Sequence, residues 1–177
     1  MACNISLGRL EGCKDTVGGL SAIYFINFGE ATFVPDGTND EIVKSVAEDS
    51  PKPSIYKYDL RGTSNFDQSL TSSRDNGTTF AEQTLTVSLK KQDATTHKEV
   101  KLLAYGRPNV IVEDNNGDFW VMAEEFGADL SATTSSGSAM GDKSGYELTF
   151  TANERRLARK YESTAGIATD FTIVNGI

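Results

Sequence analysis

Two Asn-Gly dipeptides govern what this chain can fold into, because Asn76-Gly77 and Asn116-Gly117 each separate two runs of strand-forming residues. Asn-Gly favours tight hairpins: both residues tolerate positive φ, and the resulting turn twists in the same sense as the strands it joins. If Asn76-Gly77 is a two-residue type I′ turn, Asp75 faces Thr78 and the register of the two flanking strands follows. Phe66 then faces Val87, Gln68 faces Leu85 and Leu70 faces Gln83, while Asp67, Ser69 and Thr71 face Thr86, Thr84 and Glu82 on the opposite side. A slip of one residue would move Phe66 and Leu70 onto the side of Thr84, Thr86 and Ser88, because side chains alternate with period two. The spacing therefore predicts a long hairpin over residues 65–73 and 79–90. One face is mostly apolar, and the other is built from Asp67, Ser69, Thr71, Ser73, Glu82, Thr84, Thr86 and Ser88. Taken alone, such a face is the solvated side of an antiparallel sheet.

The second turn joins 109–114 to 118–126. Val110, Ile111 and Val112 oppose Val121, Met122 and Ala123, so both faces are apolar and the pair belongs at the centre of the core. Between the hairpins, Val100, Leu103 and Ala104 share a helical face, Gly106 supplies a stop and Pro108 prevents continuation, which predicts a helix of about two turns. Residues 128–134 read as a weak strand and 135–144 as a small-residue loop. Over 145–152, Tyr146, Leu148, Phe150 and Ala152 alternate inward. Further strands are expected at 20–28, from Tyr56 onward, and at 171–174. The stretch 35–53, rich in Asp and Glu around a short amphipathic piece with Ile42, Val43 and Val46, reads as an exposed arm or insertion. A chain of 177 residues then forms a single domain, 1–177, with an N-terminal segment 1–19. The expected fold class is mostly β, an antiparallel sandwich or barrel with one short flanking helix.

Chemistry is sparse. Seventeen Lys and Arg against 25 Asp and Glu give a net charge of -8, which excludes a nucleic-acid binder working by bulk attraction. No run approaches the roughly 18 apolar residues of a membrane span. Residues 1–12 lack a basic and an apolar signal region, so synthesis in the cytosol is expected, with Cys3 and Cys13 as reduced thiols. Two thiols and one distant histidine cannot complete a zinc site. That histidine, His97, lies in a polar run without a nucleophile motif and reads as solvated. Placing Gly117 at the sixth position of a calcium loop puts Val112 first and Ala123 last, where carboxylates are required, so the match fails. No phosphate-cradling motif occurs. The carboxylate pairs Glu124-Glu125 and Asp36 with Asp40 carry no sign of opposed environments. The expectation is therefore no enzyme, no catalytic residues, no metal and no cofactor. The run 154–161, the only basic cluster, reads as a solvated edge or subunit contact.

Four stretches, Gln83-Thr84-Leu85-Thr86-Val87, the run from Asn109 to Gly117, Glu124-Glu125-Phe126-Gly127 and above all the run from Gly137 to Thr151, resemble phage tail tube proteins, particularly those of phages infecting Bacteroidetes-type bacteria. The last has the pattern Gly-x-Ala-x-Gly-Asp-x-x-Gly-Tyr-x-Leu-Thr-Phe-Thr. The resemblance implies a sandwich or barrel flanked by a helix, six copies of which form a ring whose inner sheets join into one channel. Stacked rings make a tube that conducts DNA. It also implies a virion location in the tail after synthesis in the host cytoplasm, with self-association, contacts to other tail or connector proteins, and no membrane. On that basis the polar hairpin face, Asp67 to Ser73 and Glu82 to Ser88, is expected to line the lumen. A head-to-tail connector or terminator ring, and a monomeric sandwich that binds a ligand or carbohydrate, are the competing expectations.

Overall fold

A computed structural model describes residues 7–47, 51–164 and 166–176. Its strands in chain order are β1 (Leu20–Ile26), β2 (Phe33–Pro35), β3 (Ile42–Val46), β4 (Ser54–Asp59), β5 (Ser64–Ser73) and β6 (Thr78–Lys90). After helix α1 (Ala94–Tyr105) come β7 (Asn109–Asp114), β8 (Phe119–Met122), β9 (Asp129–Ser135), β10 (Gly145–Glu154) and β11 (Arg159–Tyr161). The one-turn α2 (Ile167–Asp170) and β12 (Thr172–Asn175) complete the set. They assemble into an eight-stranded sheet, ordered β12-β4-β1-β7-β8-β11-β3-β2, and a four-stranded sheet, ordered β5-β6-β10-β9. The fold is mostly β, a sandwich of two sheets with α1 as its flanking helix, and neither sheet closes into a barrel.

The expected inward residues of β6 and β10 do meet the central strands. Leu85, Val87, Tyr146, Leu148, Phe150 and Ala152 pack with Ile23, Phe25, Val110, Val112 and Met122 into one buried cluster between the sheets. Because β1 and β7 are apolar without alternation, they bury the opposite face as well. There Tyr24, Ile26 and Ile111 join Val43, Ile55, Val121 and Tyr161 in a second cluster. The eight-stranded sheet curls around it, so that Phe33 on β2 and Phe171 beside β12 approach to 6.5 Å between ring centroids. A buried amide ties the two sheets together: Gln83 accepts from the Ala123 N–H at 2.9 Å and donates to the Arg156 carbonyl at 3.2 Å.

Three expectations need correction. The first hairpin pairs Ser73 with Thr78 and Phe66 with Leu85, a shift of two residues from the type I′ register. Among the described residues, the non-glycine ones with positive φ are Lys91 and Ala123, so only Gly77 (φ 63°) of the Asn76-Gly77 pair is left-handed. A type I′ turn needs both. Arg74 to Gly77 instead form a four-residue loop, in which the Ser73 hydroxyl accepts the Asn76 N–H. A shift of two leaves every side chain on its expected face. Second, the segment 35–53 is not wholly an exposed arm. Its amphipathic piece is β3, paired with β2 and, in parallel, with β11, and it buries Val43 and Val46. Third, α1 is three turns long and starts at Asp93, whose side chain accepts the Thr95 N–H. Ala104, expected on the packed face, is exposed. The Asn116-Gly117 turn is present with Gly117 at φ 85°, and β7 and β8 are central. Cys3 lies outside the described residues; Cys13 is an exposed free thiol. No helix among the described residues is long and apolar enough to cross a membrane.

Candidate functional site

The eight residues expected on the polar hairpin face share one side of the four-stranded sheet. The register carries that face across the neighbouring strands: Thr84 and Thr86 lie beside Thr151 and Thr149 of β10, and those lie beside Asp129 and Ser131 of β9. Along β6 the exposed or half-exposed Glu82, Thr84, Thr86 and Ser88 alternate with buried Ala81, Gln83, Leu85 and Val87. The same alternation holds on β10. The outcome is a carpet of Ser and Thr with four carboxylates, Asp67, Glu82, Asp129 and Glu147, interrupted toward the hairpin tip by Phe80, which faces the same side opposite Thr71 and is 40% exposed. The cations at its margin are Lys90 and Lys143, whose ammonium reaches the Ser88 hydroxyl at 2.9 Å and Glu147 at 2.8 Å. Sequence reasoning found the hairpin half. It read 128–134 as a weak strand but did not place it on this face, because among the inward residues Leu130, Ala132 and Thr134 only Leu130 is large and apolar.

β5 and β9 stand at the ends of this sheet's strand order, with no further strand paired to them; α1 packs beside β9, and Gln92 donates to the Ser135 carbonyl at 2.7 Å. At the β9 end, the pattern from Gly137 to Thr151 has local causes. The Asp142 carboxylate accepts the Ser138 and Ala139 N–H groups at 2.8 and 2.7 Å, bonds that hold it below the usual carboxylate range. Gly137 takes φ 76°, and a Cβ on Gly145 would stand 2.0 Å from the Leu89 carbonyl oxygen.

His97 is exposed, as expected, yet it is partnered: its Nδ1 lies 2.6 Å from the Tyr146 hydroxyl, which also donates to the Asp93 carbonyl at 3.1 Å. This contact fastens the start of α1 to β10. The basic run is consumed within the chain. Arg159, 5% exposed, donates to Glu124 through Nε at 2.8 Å and through Nη2. Arg156 bonds Asp40 at 2.8 Å, Arg155 pairs with Glu125, and Lys160 meets Asp118 and Glu162. The acidic pairs considered for acid-base work thus supply counterions in Glu124, Glu125 and Asp40. Among the described residues, no group of three or more His, Cys, Asp or Glu is placed to hold a metal ion.

Glu154 is buried beside this network and accepts the Glu125 and Phe126 N–H groups at 3.1 and 3.0 Å. Burial outweighs those bonds and raises it above the ordinary value of 4.5. The folded state then holds this proton more tightly than the unfolded chain, so the group's contribution to stability falls as pH rises from 4.5 through the folded value. In urea unfolding, the stability of wild type relative to Glu154→Gln should decline over that window; a constant difference would contradict the assignment.

Two turn asparagines have a role that the sequence did not reveal. Asn116 accepts the Val17 N–H and donates to the Val17 carbonyl, both at 2.9 Å, as a neighbouring strand would. Asn115 bonds the Gly18 and Gly19 carbonyls. These contacts fix the root of the N-terminal segment. Asn116→Ala should speed hydrogen exchange at the Val17 amide and cost about 1 kcal/mol, the net worth of a typical hydrogen bond.

No family model matches this chain, and no curated protein and no solved structure matches it.

Proposed function

We propose that the chain is a structural virion protein, the subunit of a phage tail tube or tail ring that forms a channel for DNA passage. The observation that carries this reading is the four-stranded sheet, with a mostly polar, acidic outer face and two end strands that no further strand pairs. In an all-antiparallel sheet of four strands, the outer two run in opposite directions. When copies are related by rotation about a ring axis, β5 of one therefore meets β9 of the next as an antiparallel pair, and the polar face continues across the joint. Ring closure also removes the hazard of open strand edges. Hydroxyls keep the lining hydrated, while Asp67, Glu82, Asp129 and Glu147 repel phosphates, so DNA passes without being held. Neither catalysis nor a cofactor enters this reading. The partners are further copies, six to a ring as the resemblance implies, together with neighbouring tail or connector proteins.

Size-exclusion chromatography with light scattering and negative-stain imaging tests it: rings or tubes are expected, and a persistent monomer at high concentration would overturn it. Asp67→Lys combined with Glu82→Lys should leave assembly intact but make the particles retain duplex DNA in a salt-dependent way. Assembled variant particles that retain no more DNA than wild type would remove these residues from the lumen. One feature favours the competing class of ligand-binding monomer: a groove of about 1060 Å³ that includes Tyr56, Tyr58 and Val174 in its lining. A persistent monomer would direct attention there.

A further inference from the structure

The two end strands of the four-stranded sheet lie over opposite ends of the central strands. β5 passes the end marked by Leu20, Asp114 and Trp120, with which Asn65 and Phe66 line a shared cavity. β9 starts at the other end, where the Ala128 N–H bonds the Pro108 carbonyl and Gly127 sits against Arg107 and Phe28. The surfaces beside the two edges differ in kind. At the β5 end the N-terminal segment leaves the body from the root held by Asn115 and Asn116. Residues 7–16 are exposed throughout, with Leu7 at 86% and Leu10 at 93%. At the β9 end stand three cation-aromatic pairs, Arg107 over Phe28, Arg155 over Phe126 and Lys101 over Tyr105. Each ring is itself substantially exposed, and so is Leu102, on the same helix as Lys101 and Tyr105. Aromatic rings with arginine are the composition of binding hot spots.

We infer that residues 7–16 of one copy seat on the Phe28, Tyr105 and Phe126 surface of the next copy. This rests on the edge-to-edge joint proposed above, because pairing β5 with β9 of the neighbour brings these two ends together. The occupant is then a second copy of this chain, whose Leu7 and Leu10 cover the rings; with Arg9 and Lys14 balancing Glu11 and Asp15 the arm carries no net charge, and apolar contact is what holds it. The joint gains a second layer, outside the sheet that faces the channel.

Disulfide trapping tests the contact, using Cys3→Ser with Leu102→Cys so that the native Cys13 of the arm is the only intended partner. Mild oxidation of the assembled protein should give covalent dimers and longer ladders on non-reducing gels. A crosslink confined within monomers, or no crosslink in protein that still assembles, would overturn the inference and leave the edge joint standing. Failure of wild type to assemble would overturn both. Independently, Leu7→Asp with Leu10→Asp should raise the concentration for half-assembly at least tenfold while the monomer's melting temperature stays unchanged. An unaltered assembly curve would contradict the inference.

Discussion

Arg159→Ala is expected to lower the unfolding free energy by about 3–5 kcal/mol, the cost of leaving one member of a buried ion pair without its partner. Arg159 is 5% exposed and joins three separate segments: its own strand β11, Glu124 after β8, and Asp40, whose carbonyl it meets at 3.3 Å, ahead of β3. Removing the guanidinium strands the Glu124 carboxylate in a site made for a cation. The double replacement Arg159→Leu with Glu124→Leu removes both charges, and it should recover most of the loss because two paired desolvation costs vanish together. Chemical denaturation of the three variants measures this coupling. If the double variant is no more stable than Arg159→Ala, the pair contributes through packing alone and the electrostatic account is wrong.

Gly145→Ala is expected to destabilise by about 2–3 kcal/mol through overpacking. Its Cβ would enter within 2.0 Å of the Leu89 oxygen, where β10 pairs with β6 at Lys90, so these two strands of the four-stranded sheet would have to separate. Gly141 belongs to the same sequence pattern, but a Cβ there meets nothing within 4 Å. Gly141→Ala should therefore change stability by no more than about 0.5 kcal/mol, as surface substitutions commonly do. Thermal melts of the two variants give a direct contrast. Equal losses would mean that the glycines of the pattern serve one shared purpose, contrary to the structure.

These positions also indicate what the sequence could and could not reveal. Alternation in β6 and β10 is strong, since Leu85, Val87, Leu148 and Phe150 are large and their neighbours are Thr or Glu, so inward and outward faces were legible. The continuous apolar run Val110, Ile111 and Val112 likewise placed β7 at the centre. The turn at Asn76-Gly77 misled the register because composition cannot distinguish a two-residue loop from a four-residue loop; only the φ of Asn76 does. β3 was hidden among acidic residues because one of its partners, β11, lies more than a hundred positions away, as Asp40 does from Arg156 and Arg159, which share it. The polar face was half legible: the hairpin residues could be sorted by register, whereas β9 has a single large inward side chain, Leu130, too weak a pattern to place it beside β10. The clamp between Asn116 and Val17 was invisible for the same reason as β3, since nothing local to either residue announces it.

Electron cryo-microscopy of the purified assembly measures the central claim directly, by showing which surface faces the axis. The account predicts a ring or tube lined by one continuous antiparallel sheet, with β5 beside β9 of the next copy and Asp67, Glu82, Asp129 and Glu147 pointing into the channel. A closed assembly whose axis is lined by the eight-stranded sheet, or a particle with β5 and β9 left unpaired, would contradict it.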